Sequence, residues 1–219
     1  DRMVTISKIS FTMQLPQSLL PRIEAVPGVR KVAYANWFGG VYQEPKNFFP
    51  NIAVSPNFFE VYDEFVLPPD QAAAFAQTRT GAVVGRQLAD RFGWKIGDRI
   101  PLEATIFPQK DGSNTWTVDL VGIFHLEDPK QRGQEGQLLF RWDYFDEARQ
   151  FGNGQIGWYI LRVDDPARAN EVANAIDAIS ANSDHETKTQ TEQAFNAAFV
   201  SQFGDIGLIV GAIMAAVFF

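Results

Sequence analysis

Three glycines in the second half of the chain have a spacing that could bind a dinucleotide. Gly152, Gly154 and Gly157 lie in the segment FGNGQIGWYIL and follow the pattern G-x-G-x-x-G. In a dinucleotide loop this pattern follows a strand and opens a helix, whose N-terminus faces the pyrophosphate. Here the residues after Gly157 predict a strand, and the next helix begins only after Asp165. The segment therefore favours a glycine-rich turn that leads into a strand.

The two histidines are the other side chains suited to acid-base or metal chemistry. His125 stands two residues before Glu127, and His185 lies between two acidic residues. Each could titrate near neutral pH, but isolated histidines beside acids are commonly solvated side chains. The sequence has no HExxH pair, no GxSxG elbow and no GxxxxGK[ST] phosphate loop. We therefore expect no catalytic, metal-binding or cofactor-binding residues, and no cofactor.

A group of aromatic residues follows a predicted strand, in a segment interrupted by glycine and proline. Its members are Trp37, Phe38, Tyr42, Phe48 and Phe49. Two interpretations are open: an exposed apolar patch for a lipid-like substrate or a partner protein, or the filling of a joint between two subdomains. The joint is favoured because exposed apolar patches are uncommon on soluble surfaces.

Composition limits the classes of function. The chain has 219 residues, 46% of them hydrophobic, which is enough for one large or two modest globular domains. Its net charge of -7 works against attraction to phosphate backbones, so we expect no nucleic acid partner. The absence of cysteine excludes disulfides, cysteine-ligated zinc and thiol nucleophiles. An exported hydrolase would need a catalytic constellation that these residues do not supply.

Two sets of alternating strands and helices must position these side chains. In the first set, a strand is predicted from Val4 to Met13, and a helix that ends at Pro27 separates it from a strand at Val29 to Phe38. In the second set, a strand at Ile156 to Val163 precedes a helix that starts at Asp165. A further strand at 138–142 is expected to join the second set. Another helix is expected to begin after Thr189, which has capping-box spacing with Glu192.

The middle of the chain, about 52–127, has a different character. It contains a short buried strand at Ala82 to Val84, a two-turn helix ended by Gly93, and a turn at Gly97 that opens another strand. A longer strand follows from Thr115 to Phe124. This pattern indicates a small, mostly β insertion within a split α/β unit.

The last fourteen residues, IGLIVGAIMAAVFF, contain no charged side chain. A helix of that length spans about 21 Å, whereas a bilayer core of about 30 Å needs roughly twenty apolar residues. Gly207 and Gly211 have the GxxxG spacing of membrane helices, although a buried soluble helix would also use small residues. Because 189–205 lack Lys and Arg, the positive-inside rule puts the preceding domain outside the membrane. We therefore expect the tail to be the start of a membrane helix that continues past Phe219.

A stripe of phenylalanines leads toward this tail. Phe195, Phe199 and Phe203 recur every four residues and would share one side of a helix. We expect them to pack a stalk helix against the domain or against a partner subunit.

Four segments together resemble a known family of membrane-protein domains. They are, in order, PGVRKVAYA, NFFEVYDEF, AVVGRQLADRFGWKIGDRIPL and TWTVDLVGIF. Their order looks like that of the large extracytoplasmic domain of ABC transporter permeases of the FtsX and MacB type, and it is also similar to the lipoprotein-releasing permeases. The most specific piece is Val83 to Ile100, and the resemblance covers nearly the whole chain. A departure at Leu67 to Asp70 leaves the subfamily open.

The resemblance implies an α+β fold with a split βαβ, porter-like subdomain at 1–51 and 128–203. A smaller β-rich subdomain would be inserted at 52–127, and 204–219 would begin a transmembrane helix. The domain would lie on the periplasmic side of a bacterial cytoplasmic (inner) membrane.

The resemblance also implies a noncatalytic function. ATP hydrolysis by an ABC ATPase subunit would be coupled to export, or to a mechanical signal passed to the outside. The implied partners are that ATPase, a second permease protomer in a homodimer or heterodimer, and a periplasmic protein or a lipid- or lipoprotein-like substrate. The alternative is a membrane-anchored or exported binding module or chaperone without transport activity.

Overall fold

The structure is a computed structural model and describes residues 2–198 and Ser201. The strands are β1 (Arg2–Ser7), β2 (Leu15–Pro16), β3 (Val29–Trp37), β4 (Asn51–Val54), β5 (Gly81–Gly85), β6 (Arg99–Glu103), β7 (Thr115–Phe124), β8 (Leu138–Arg141), β9 (Gln155–Ile156), β10 (Trp158–Val163) and β11 (Thr187–Thr191). The α-helices are α1 (Leu20–Glu24), α2 (Phe58–Val61), α3 (Pro69–Gln77), α4 (Arg86–Phe92), α5 (Trp142–Ala148) and α6 (Ala169–Ile179), and residues 192–198 are also helical.

In the described part of the chain, nine strands form one mixed sheet in the order β11-β1-β10-β3-β4-β8-β5-β7-β6. The β4–β8 and β5–β7 pairs are parallel, and the other neighbours are antiparallel. β2 and β9 form a separate two-stranded ribbon. The predicted α+β class is confirmed at this level, as a large mixed sheet with helices.

Two hydrophobic clusters cover the two faces of the sheet. On one face, the larger cluster includes Ile23 of α1, Leu88 of α4, Phe145 of α5 and Ile176 of α6. On the other face, a smaller cluster is built around α2 and α3 and includes Phe75. Neighbouring strand residues alternate between the clusters, as the period-2 geometry of a strand requires.

The first predicted strand is shorter than expected. β1 ends at Ser7, whereas the sequence predicted strand through Met13. The Ser7 Oγ accepts a hydrogen bond from the Ile9 amide at 3.3 Å, and the Ser10 Oγ accepts one from the Thr12 amide at 3.2 Å. These local serine turns replace the ladder hydrogen bonds that would have continued the strand.

The start of the C-terminal helix was also mispredicted. Thr189 lies inside β11, and its hydroxyl is bound to Asp177 Oδ1 at 2.7 Å and to Thr5 Oγ1 at 2.9 Å. The Thr191 Oγ1 instead accepts a hydrogen bond from the Ala194 amide at 3.1 Å, which is the geometry of an N-cap. The preceding helix starts as predicted: the Asp165 Oδ1 accepts a hydrogen bond from the Ala167 amide at 2.9 Å.

The middle of the chain follows its predicted elements closely. β5, α4 and β7 occupy the predicted positions, and α4 ends at Gly93 with φ +68°. A left-handed residue after a helix favours glycine because a Cβ would be strained there. The predicted strand near 138 is β8, but it lies between β4 and β5 rather than beside the strands of the second set.

The division into subdomains at 1–51 with 128–203 and at 52–127 stays a prediction. β5, β7 and β6 lie together at one end of the sheet, and β4 begins at Asn51, next to the predicted boundary. Within the described residues, no helix is both long enough and apolar enough to cross a membrane. The tail at 204–219, and Phe199 and Phe203 of the predicted stripe, lie outside the described residues.

Candidate functional site

The glycine segment forms a turn between α5 and the ribbon strand β9. Gly152 and Gly154 adopt positive φ angles of +76° and +78°. A Cβ on Gly157 would lie 2.9 Å from the Ala35 carbonyl oxygen, so this glycine permits close pairing of β10 with β3. The turn leads into strands, as the sequence predicted, and presents no helix N-terminus.

The two histidines lie apart on the surface. His125 exchanges backbone hydrogen bonds with Val66, and its side chain is exposed. The His185 Nδ1 lies 2.6 Å from Asp184 Oδ1, in a polar turn. Among residues 2–198 and Ser201, no three His, Asp or Glu side chains lie close enough together to hold a metal ion.

The two ends of the described chain meet at one end of the sheet. β1 and β11 are antiparallel neighbours, and Met3 pairs with Thr191. Arg2, at the start of β1, therefore lies beside Glu192, the residue that follows β11 and begins the helix of 192–198. The Arg2 Nε donates a hydrogen bond to Glu192 Oε2 at 2.6 Å. An ion pair thus joins the first strand to the C-terminal helix.

Both partners of this ion pair also bind the segment that follows α2. The Arg2 guanidinium donates to Glu64 Oε2 at 2.8 Å and approaches Glu64 Oε1 at 2.6 Å. The Tyr62 hydroxyl donates to Glu192 Oε1 at 2.7 Å, and the Arg2 guanidinium lies 4.1 Å from the centre of the Tyr62 ring. We call these four side chains, Arg2, Tyr62, Glu64 and Glu192, the junction cluster.

The junction cluster is largely shielded from solvent. The side chains of Arg2, Glu192 and Glu64 are 18%, 22% and 25% exposed. Burial alone lowers the pKa of Arg2, but the hydrogen bonds to Glu64 and Glu192 outweigh it and hold that pKa above its ordinary value. Burial raises the pKa of Tyr62 well above its ordinary value, and the charge of Glu192 adds to the effect. Arg2 therefore stays charged and Tyr62 stays neutral at physiological pH.

A second arginine strengthens the same attachment. Arg162 is the neighbour of Arg2 across the β1–β10 pair. Its Nε donates to the Val61 carbonyl at 2.9 Å, and its guanidinium donates to Asp63 Oδ1 at 2.6 Å. Two adjacent positive charges would repel each other, and the carboxylates of Asp63 and Glu64 offset that repulsion. The segment after α2 is therefore held to both strands.

The opposite end of the sheet is apolar and partly exposed. β1 and β3 run in the same direction because both are antiparallel to β10, so Trp37 at the end of β3 lies at the end opposite Arg2. Trp37 is 39% and Phe48 57% exposed, and their ring centres are 6.3 Å apart. The segment that contains Ile106 lies alongside, because the Thr105 hydroxyl donates to the Gly39 carbonyl at 3.2 Å.

Phe151 extends this exposed region. Its ring centre is 5.9 Å from that of the buried Phe107, which in turn stacks on Phe38 at 6.4 Å. Phe151 and Ile106 are 50% and 49% exposed. We call Trp37, Phe48, Ile106 and Phe151 the distal surface.

The aromatic group predicted from the sequence has both buried and exposed members. Phe38 and Phe49 are buried, and the Phe38 ring contacts those of Trp116 and Phe140 at centre distances of 5.3 and 5.2 Å. Tyr42 packs edge-on to Trp94. These residues fill the core, whereas Trp37 and Phe48 contribute to an exposed apolar surface.

In a comparison with protein-family models, residues 1–179 match the family described as the MacB-like periplasmic core domain. The chain belongs to this family. The resemblance seen in the sequence is therefore confirmed. A search of curated protein sequences gave no match.

Solved structures of other proteins show a similar fold. The extracellular domain of the noncanonic ABC-type transporter YknZ from Gram-positive bacteria is similar with a TM-score of 0.61 and 8% identity, over 87% of this chain and 100% of that chain. The periplasmic region of MacB from Actinobacillus actinomycetemcomitans is similar with a TM-score of 0.62 and 11% identity, over 90% of this chain and 92% of that chain. A domain of a putative permease protein from Porphyromonas gingivalis is similar with a TM-score of 0.51 and 14% identity, over 86% of this chain and 87% of that chain.

In this MacB-like domain, the junction cluster was not predictable from sequence motifs. Arg2 and Glu192 are 190 positions apart, and no spacing rule relates residues at such a separation. The weak signal was their placement, because Arg2 precedes the first predicted strand and Glu192 lies in the first turn of the last predicted helix. Glu192 also lies beyond the residues that the family model matches.

Proposed function

We propose that this chain is the extracytoplasmic domain of an ABC transporter permease subunit. It would lie on the periplasmic side of the cytoplasmic membrane and perform no catalysis itself. Membership of the MacB-like periplasmic core family supports this assignment. Its partners would be an ABC ATPase, a second permease protomer, and a periplasmic protein or lipid-like substrate.

The junction cluster supports a mechanical function for the domain. Arg2 and Glu192, near the two ends of the described residues, lie side by side, and each is attached by charged hydrogen bonds to the segment after α2. Hydrogen bonds to charged groups are each worth about 1.5–3 kcal/mol, so the attachment resists separation of the two ends from the domain. If the ends continue into membrane helices, ATP-driven movement of those helices would be passed to the domain as a rigid unit. Porter-like and inserted subdomains would then move together with the stalk.

The test is a helix-breaking substitution in the helix that leaves the junction cluster. Ala198→Pro removes a backbone hydrogen bond and introduces a steric clash in the second turn of this helix. In the complete transporter we expect ATP hydrolysis to persist and ATP-driven movement of the distal surface to be lost. The movement can be followed by electron paramagnetic resonance, as the distance between spin labels at Phe151→Cys in two protomers.

The matched control is Gln193→Pro, in the first turn of the same helix. Amides in the first turn make no intrahelical hydrogen bond, so proline is tolerated there. We expect this variant to retain ATP-driven movement. Full movement in Ala198→Pro would refute the mechanical proposal, whereas absence of ATP-driven movement in the unaltered protein would favour a binding module without transport activity.

A further inference from the structure

A cavity lies between the helix of residues 192–198 and the loop that precedes β8. Its volume is about 560 Å³. One wall consists of aromatic side chains that stand on or above the sheet, namely Phe58, Phe65 and Trp158. The loop contributes three more lining residues, Gln131, Gln134 and Gln137. The cavity reaches the junction cluster at Arg2, Tyr62 and Glu192.

The three glutamines form a regular row. The segment Arg132–Gly136 is a 3-10 helix, and the glutamines occupy its two flanking positions and its middle. A 3-10 helix has three residues per turn, so side chains three residues apart lie on the same side. With a rise of about 2.0 Å per residue, successive glutamine positions along the backbone are about 6 Å apart.

This loop is held rigidly in place. Glu135 is only 4% exposed, and its Oε1 accepts a hydrogen bond from the Leu126 amide at 2.8 Å. A Cβ on Gly85 would lie 2.1 Å from the Glu135 carbonyl oxygen, so the loop packs directly against the end of β5. The glutamine row is therefore a fixed wall of the cavity.

Among the described residues that line the cavity, no charged side chain is left without a partner of opposite charge. Each guanidinium nitrogen of Arg2 is already bound to Glu64 or Glu192. The remaining polar groups at the wall are neutral carboxamides, which both donate and accept hydrogen bonds. Gln131 and Gln137 each donate one hydrogen bond within the loop, and the Gln134 carboxamide makes none with the described residues. An uncharged ligand that has both donors and acceptors fits this wall.

We propose that the cavity binds an extended, uncharged peptide segment with large apolar side chains. In an extended strand the peptide groups on one side repeat every two residues, about 6.7 Å apart. This repeat is close to the glutamine spacing, so each carboxamide can bind one outward peptide group. Alternate apolar side chains then point toward Trp158 and the phenylalanines.

A bound peptide would also contact the helix that begins at the junction cluster. Glu192 and Asn196 both line the cavity, on the first two turns of that helix. A peptide in the cavity would thus bias the position of this helix relative to the sheet. This consequence rests on the proposed function, whereas the binding itself does not require ATP or a partner subunit.

The binding test uses two capped peptides and the full chain. We expect acetyl-Gly-Phe-Gly-Phe-Gly-amide to bind in isothermal titration calorimetry, and the matching peptide with Glu in place of Phe to show no heat of binding. Gln134→Ala should weaken binding by about threefold to tenfold, because one hydrogen bond is lost. The control is Gln87→Ala, on the exposed side of α4, which should bind the peptide like the unaltered chain.

A second variant tests whether a change in the fold, rather than the loss of the carboxamides, explains weaker peptide binding. Combined replacement of Gln131, Gln134 and Gln137 by Ala should abolish binding while the circular dichroism spectrum stays unchanged and the thermal unfolding midpoint falls only slightly, because two exposed loop hydrogen bonds are lost. Equal affinity of this variant and the unaltered chain would overturn the proposal. So would binding of maltotetraose with no binding of the peptide, because the site would then recognise a glycan. Failure here, with intact ATP-driven movement, would leave the proposed transport function standing.

Discussion

The two ends of the sheet differ in the kind of side chains they carry and in how far those side chains are exposed to solvent. At the junction cluster, every charged group has a partner of opposite charge, and the side chains are mostly shielded from solvent. At the distal surface, Trp37 and Phe48 contact each other but remain 39% and 57% exposed. Contiguous exposed apolar side chains are uncommon on soluble proteins and typically mark contact sites. The comparison indicates that the junction cluster attaches the first strand and the C-terminal helix to the domain, whereas the distal surface is available for contact with another molecule.

The segment from Phe38 to Phe48 contributes both to the stability of the core and to the exposed distal surface. Phe38 and Phe48 lie ten residues apart at the distal end, yet one is fully buried and the other is exposed. The buried ring fixes the segment in the core, and the exposed ring is then presented in a defined position. Four variants, described in order of decreasing expected effect, test this contrast.

The largest effect is expected from Phe38→Ala. The Phe38 ring contacts four other buried rings, those of Phe107, Trp116, Phe140 and Phe145. Its removal leaves a cavity and should lower the free energy of unfolding by about 3–5 kcal/mol. Phe48→Ala is the matched control and should change it by less than about 0.5 kcal/mol. Urea unfolding measures both, and equal losses would contradict the division between buried and exposed aromatics.

Arg2→Ala should have the next largest effect. It leaves the carboxylates of Glu64 and Glu192 close together and partly buried without their counter-charge, at a cost of about 2–3 kcal/mol. The control is Arg168→Ala, which breaks an exposed ion pair with Glu171 and should cause no measurable change in urea unfolding. A loss in Arg2→Ala no larger than in the control would show that the junction cluster adds no stability.

Tyr62→Phe isolates one bond of the junction cluster. It removes the hydroxyl that donates to Glu192 and keeps the ring beneath the Arg2 guanidinium. The expected loss in the free energy of unfolding is about 1 kcal/mol. The control is Tyr144→Phe, because the Tyr144 hydroxyl donates to the Thr117 carbonyl at a longer distance of 3.4 Å. Its free energy of unfolding should fall by less. The reverse order would mean that the hydroxyl of Tyr62 is dispensable.

The smallest effect on stability is expected at the distal surface. Replacing both Phe48 and Phe151 by Ser should leave unfolding unchanged and reduce the fluorescence of bound anilinonaphthalene sulfonate, which reports exposed apolar surface. The exposed polar change Gln87→Ser should leave the fluorescence unaltered. Unchanged dye binding in the double variant would show that these two rings are not the apolar surface in contact with solvent.

Local patterns in the sequence predicted much of the fold. β7 was predicted at its observed bounds because ten residues rich in branched and aromatic side chains are typical of a strand. The end of α4 followed from Gly93, since few other residues adopt its positive φ at low cost. The predicted start of the C-terminal helix was wrong because the Thr189 hydroxyl donates a hydrogen bond to Asp177 on α6. No local sequence pattern indicates this contact.

The candidate sites depended on contacts between distant parts of the chain. The pairing of β1 with β11 brings Arg2 to Glu192, and this pairing cannot be read from either strand alone. The glutamine row has a visible three-residue spacing, but that spacing indicates a single side only once the segment is known to be a 3-10 helix. Periodicity can therefore suggest which side chains act together, whereas the sheet order determines what they face.

The most direct test of the central claim is to remove the junction cluster from a working transporter. Spin labels at Phe151→Cys in two protomers report the distance between the distal surfaces, with and without ATP. We predict a change in this distance when Arg2 is present, and loss of the change in Arg2→Ala with ATP hydrolysis retained. A full ATP-dependent change in Arg2→Ala would contradict the claim that this cluster passes movement from the chain ends to the domain.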